Sequence, residues 1–224
     1  MREIVLDTET TGLDPTSGHR IVEIACLELL NHIPTGRSYQ SYVNPERDVP
    51  ADAEAVHGLT AEFLNDKPRF AEIADALMAF IDGAPLVIHN AEFDIRFLNA
   101  ELVRLARPSL DGGRIVDTLQ IARQKFPGAP ASLDALCRRF GIDNSIRTKH
   151  GALLDTELLA DVYLELIGGR QAGLELLTAA SQTTVVLAAS GRTPRPARLH
   201  VATAEELIAH AALVARLKDP IWLS

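Results

Sequence analysis

Cysteines and long apolar runs are scarce in this chain of 224 residues. Its two cysteines, Cys26 and Cys137, fall inside apolar patterns, one in an expected strand and one in an expected helix. Both read as reduced core residues rather than a disulfide or a metal pair. The seven histidines form no zinc-like spacing with them, which sets zinc aside. No apolar run approaches the roughly 20 residues needed to span a bilayer, so no membrane segment is expected. A strand pattern begins almost at Met1, and the expectation is a chain without a signal peptide, placed in the cytoplasm. Basic residues are also short: the formal net charge is −8. That argues against a protein gripping nucleic acid by charge alone, because counterion release needs a basic surface. It leaves open an enzyme acting at a strand end, where metal ions neutralise carboxylates and phosphates together. Unaided affinity should then be weak, and a partner should deliver the substrate.

What is present is a soluble, globular composition, 47% hydrophobic and 23% charged. The length allows one sizeable domain plus an appendage, or two small domains. Ile4–Glu9, Arg20–Leu30 and Arg37–Pro45 read as strands of an antiparallel meander. Helices follow at 70–83 and 93–106, with the short buried strand "PLVIHN" between them. "RIVDTLQIARQKF" reads as a short strand running into a helix. "SLDALCRRFG" reads as a helix capped by Ser132 and ended by Gly141, and a long helix after "HG" stops at Gly168–Gly169. Strands first and β/α units afterwards imply a mixed sheet flanked by helices.

After Gly169 the character changes. Residues 170–196 are rich in Ala, Ser, Thr, Gly and Pro, without sustained periodicity, and read as a tether. Residues 197–224 resume order as a short strand, a capping box of Thr203 with Glu206, and a helix with apolar positions, with Trp222 near the end. A unit so small cannot bury that surface by itself and needs a partner.

"DTETTG" (residues 7–12) raises the chemical question. Side chains alternate along a strand, so Asp7 and Glu9 share a face, roughly 7 Å apart. Two carboxylates there are costly to bury unless a cation lies between them; otherwise they form a solvated strand end. Thr8, Thr10, Thr11 and Gly12 supply hydroxyls, backbone N–H groups and a tight turn where a phosphate could approach. Asp94 lies at a helix entrance, a place acids occupy for the helix dipole alone. Asp155 extends the stripe of Leu159, Val162 and Leu166 and should be buried. His150 is either a surface cap or, beside an acidic cluster, a general base. Hard oxygen donors favour Mg2+ or Mn2+. Two such ions roughly 4 Å apart suit phosphodiester cleavage.

"DTETTG", "HNAEFDIRFL" and "HGALLD", in this order and spacing, strongly resemble the three motifs of the DEDDh 3′–5′ exonucleases across residues 3–168. The resemblance implies an RNase H-like five-stranded α/β fold and two-metal hydrolysis of single-stranded 3′ ends to nucleoside 5′-monophosphates. It makes Asp7, Glu9 and Asp155 metal ligands, with Asp94 completing the set partly through water and His150 deprotonating the attacking water. "VHGLT", the "FPGAPASLDALCRRFGIDNS" stretch and "YLELIGG" are similar to the proofreading branch of the family, which serves a bacterial replicative DNA polymerase. That likeness places His57 near the terminal nucleotide. Asp52 stands where the branch often has Glu, so substrate contacts are expected from Thr8, Thr10, Asp52 and His57.

The same likeness implies an exonuclease domain at 1–169 and binding of the polymerase catalytic subunit through 197–224. "QAGLEL" (Gln171–Leu176) is similar to a sliding-clamp-binding peptide, and a small third subunit often accompanies this branch. Two rival readings remain: a free-standing nuclease of RNA processing or repair, which the tail argues against, and a silent scaffold, which the intact acids argue against.

Overall fold

The computed structural model describes residues 1–145, 149–169 and 202–216. The chain divides into two compact units, Met1–Glu175 and Leu176–Ser224.

The first unit is built on a five-stranded mixed sheet in the order β3-β2-β1-β4-β5. β1 (Arg2–Thr10), β2 (Ile21–Leu30) and β3 (Ile33–Tyr42) form the antiparallel meander, and β4 (Leu86–Ile88) and β5 (Ile115–Asp117) extend it in parallel with β1. β3 starts four residues earlier than its alternation suggests. Asn31 and His32 make a two-residue turn with φ of 51° and 67°, a conformation that joins adjacent antiparallel strands tightly.

Alternation along β1 sorts its side chains onto two faces. Ile4 and Leu6 enter a core with Phe70, Ile73 and Leu77 of α3 (Phe70–Ile81) and Phe97, Leu98 and Leu102 of α4 (Ala91–Arg104). Val5 enters the other core with Leu27 and Leu29 of β2, against α6 (Leu133–Phe140) and α7 (Ala152–Leu166), with α5 (Thr118–Lys125) beside them. Cys26 is buried in the first of these cores and Cys137 in the second, as their apolar settings imply. Two further helices, α1 (Ala51–His57) and α2 (Ala61–Leu64), lie between β3 and α3 in a stretch with no sustained periodicity.

In the second unit α8 (Ala204–Val214) carries the expected capping box: the Glu206 N–H donates to Thr203 Oγ1, and the Thr203 N–H donates to the Glu206 carboxylate. Leu207, Ile208 and Leu213 are exposed. The expected tether, the 171–176 peptide, the short strand before α8 and Trp222 lie outside the described residues. None of the described helices is long and apolar enough to cross a membrane.

Candidate active site

The acidic cluster forms at the C-terminal end of β1, the strand at the centre of the sheet. Asp7 and Glu9 lie on the α7 face, as alternation requires. The β1–β2 register shifts between Glu9 and Thr10, and Val22 is the unmatched residue. Such a bulge bends a strand and re-aims the side chains after it. Past the bulge, the Thr11 N–H donates to the Arg20 carbonyl and the Arg20 N–H donates to Thr11 Oγ1. Gly12 leaves space that the His19 ring occupies; a Cβ there would overlap the ring.

Asp94 arrives from the opposite face of the sheet, in the first turn of α4. The Thr8 N–H and hydroxyl both donate to Asp94 Oδ1, at 3.0 and 2.7 Å. Asp94 is almost fully buried. Burial pushes its carboxyl up to about 7; the Thr8 bonds oppose this, and the Asp117 charge adds to it. Asp155 is equally buried, in the first turn of α7 on the stripe with Leu159, Val162 and Leu166. His150 precedes that helix with an exposed ring, its Nδ1 3.3 Å from Asp155 Oδ2. Its N–H donates to the Val56 carbonyl, which ties this segment to α1. The ligating atoms of Glu9, His150 and Asp155 all lie within 4.8 Å of one another.

Asp7, Glu9, Asp94, Asp155 and His150 therefore line one cleft of about 580 Å³, together with His89, Phe93, Arg123 and Asp134. Spacing alone did not single out His89 or Asp134. The His89 ring is oriented by Thr118, whose hydroxyl donates to the Ile88 carbonyl and so accepts from Nδ1–H. Asn144 donates to Asp134 across ten residues. The donor set is dominated by carboxylate oxygens on two sides of a partly open cleft, which fits a hard divalent cation and not a soft one.

A second recess of about 600 Å³ shares Thr8, Glu9 and Phe93 with the first and is lined by Thr10, Asp52, Val56, His57 and Leu13. All four expected substrate-contact residues thus reach the site. The Thr8 hydroxyl is turned to Asp94, and the Thr10 hydroxyl donates to the Gly12 carbonyl. Asp52 is exposed in the first turn of α1. His57 is buried at that helix's end, where Nδ1 accepts from the Leu59 N–H at 3.0 Å. Because Nδ1 accepts, the ring carries its proton on Nε2, and burial lowers its pKa. The exposed apolar groups Leu13 and Val56, with Phe93, give this recess a surface for a flat ring; their mixed surroundings in the sequence gave no sign of it.

The family model described as Exonuclease (RNase T) matches residues 4–163. The DNA polymerase III subunit epsilon of Rickettsia felis is 54% identical over 186 residues, covering 82% of this chain and 81% of that one. The same subunit of Escherichia coli is 46% identical over 221 residues, covering 94% and 91%. Among solved structures, Exonuclease X in complex with 5′ overhanging duplex DNA matches at a TM-score of 0.57 and 26% identity, over 73% of this chain and 90% of that one. The nuclease domain of 3′hExo, a DEDDh family member bound to rAMP, matches at 0.64 and 17% identity, over 74% and 91%, and shares the fold. This chain belongs to the RNase T/DEDDh exonuclease family, in the group of the bacterial DNA polymerase III epsilon subunits.

Proposed function

We propose that the chain is the proofreading 3′–5′ exodeoxyribonuclease of a bacterial DNA polymerase III, removing mismatched 3′-terminal nucleotides as 5′-monophosphates. The observation that carries this reading is the meeting of Asp7, Glu9, Asp94, Asp155 and His150 in one cleft from three separate segments of chain. Asp7, Glu9 and Asp155 would hold two divalent ions, Mg2+ or Mn2+, with Asp94 contributing partly through water. Such ions, when bound, offset charge on the scissile phosphate and acidify the attacking water. With His150 Nδ1 3.3 Å from Asp155 Oδ2, a proton held on Nδ1 would leave the Nε2 lone pair to take the proton of the attacking water. Asp52, His57 and the Leu13–Val56–Phe93 surface receive the terminal nucleotide, and the Thr8 and Thr10 backbone borders its phosphate.

Little base reading is needed, because a mismatched end frays more readily into single strand. The exonuclease domain is residues 1–169, tethered through 170–196 to a segment, 197–224, that binds the polymerase catalytic subunit in the bacterial cytoplasm. Likeness to the Rickettsia conorii subunit runs over 222 residues, through this tail, which favours a polymerase-bound enzyme over a free-standing one. Residues 171–176 offer a contact to the sliding clamp. For an acidic chain, such tethering supplies the local concentration of DNA ends that charge does not.

The test is digestion of a 5′-labelled single-stranded oligodeoxynucleotide with Mg2+ or Mn2+, beside EDTA and Asp7→Ala controls. A ladder shortening from the 3′ end, absent in both controls, is expected; no ladder from folded protein refutes the reading. Full-length chain should co-elute with the polymerase catalytic subunit, and chain ending at residue 196 should not.

A further inference from the structure

Glu23 lies on β2 directly opposite Glu9, so its side chain shares the α7 face of the sheet with the acidic cluster. It is 3% exposed. No lysine or arginine among the described residues forms an ion pair with it, and its bonds come from amides. Gln40 Nε2 donates to Oε1 at 2.7 Å, and the Ala152 N–H donates to Oε2 at 3.2 Å.

Ala152 is the first residue of α7, and the residue before it, Gly151, offers no capping side chain. The acceptor that a helix N-terminus ordinarily takes from its own N-cap is supplied here by the sheet, across 129 residues of sequence. His150 lies two residues before that contact and Asp155 three after it. A recess of about 310 Å³ is lined by Glu23, Gln40, His57 and His150 together. Burial pushes the Glu23 carboxyl up, and the nearby Asp155 charge adds to the effect. A buried acid placed beside other acids is an unfavourable way to fill this space unless its acceptors are needed.

We infer that Glu23 is a positioning residue: its carboxylate caps α7 from the sheet and sets where His150 and Asp155 stand relative to Glu9. The inference rests on the catalytic roles given to His150 and Asp155 above. The contact at Ala152 fixes the start of α7, and the bond from the His150 N–H to Val56 fixes the segment that leads into it.

Three substitutions in the full chain separate the possibilities. Glu23→Met fills the space without an acceptor and removes the buried charge. Glu23→Ala removes the acceptor, the charge and the volume together. Glu23→Gln keeps an acceptor for Ala152, while the Gln40 amide can turn over to accept from the new one. Rates on the p-nitrophenyl ester of thymidine 5′-monophosphate report the site without a DNA strand, and Mn2+ titration by calorimetry reports the ligand set apart from turnover.

Glu23→Met should lower kcat about ten- to a hundredfold with KM within about twofold, and weaken Mn2+ by a similar factor. Its melting temperature should stay close to wild type. Glu23→Gln should recover most of kcat. A Glu23→Met enzyme with full kcat and unchanged Mn2+ affinity overturns the inference, as does a Glu23→Gln enzyme as slow as Glu23→Met. If Glu23→Ala fails to fold, the Met and Gln variants still decide. Asp155→Ala in the same assay tests the underlying reading: if it is as active as wild type, that reading fails first.

Discussion

Replacing Asp94 by Asn should abolish activity and yet stabilise the metal-free protein at alkaline pH. Both Thr8 bonds end on a single oxygen, Oδ1, which Asn retains. The substitution therefore removes charge from a buried position without orphaning a donor. The Asp94 carboxyl titrates at about 7 in the fold, against about 3.9 in an unfolded chain. A pKa raised on folding contributes stability that is fully present below about pH 4 and is lost as the pH rises through about 7. Above that, the ionised group weakens the fold by roughly 4 kcal/mol at most. Asn escapes this loss, so at pH 8 in EDTA the variant should be about 2–4 kcal/mol more stable than wild type. For a domain of this size that raises Tm by roughly 5–10 °C. Near pH 4 the two proteins should melt together. Adding Mn2+ at pH 8 should raise the wild-type Tm and leave the variant little changed, reversing or erasing the gap. Thermal melts at the two pH values, with EDTA and with Mn2+, make the test. A variant less stable than wild type at pH 8 in EDTA, or a gap independent of pH, would refute the argument.

Three further outcomes are expected. His150→Ala should reduce kcat on single-stranded DNA by about 10²- to 10⁴-fold while binding of the oligonucleotide in Ca2+, read by fluorescence anisotropy, changes little; a loss confined to binding would contradict its role as base. Gly12→Ala should drive a Cβ into the His19 ring and destabilise by about 1–3 kcal/mol in urea, and adding His19→Ala should restore most of that loss; a double variant no better than the single one would show that the clash is not the cause. Glu101 holds Arg20 by two bonds of 2.5 and 2.8 Å with its own side chain 4% exposed. Glu101→Ala, leaving that mostly buried guanidinium with only its longer contacts to Glu46 and the Pro45 carbonyl, should therefore lower stability by about 3 kcal/mol in denaturant titrations; a change under about 1 kcal/mol would show the pair is solvent-screened.

The local patterns in the chain determined a good deal. Period-two alternation put Asp7 and Glu9 on one face, and the apolar stripe of Leu159, Val162 and Leu166 required Asp155 to be buried. Ser132, Gly141, Thr203 and Glu206 marked helix ends where the helices do start or stop. These succeed because backbone periodicity and capping depend on neighbours a few residues away.

α1 was not legible. Its seven residues are too few to show a period, although it carries His57 and Asp52 to the site. The early start of β3 was hidden as well, since Asn31 and His32 reveal their turn only through positive φ. Tertiary structure alone decided the rest. It brought Asp94 through the sheet to Thr8 across 86 residues, and it joined Glu23 to the start of α7 across 129. No periodicity can state such a bond, because a buried polar group's partner is chosen by which surfaces pack together, not by its neighbours along the chain.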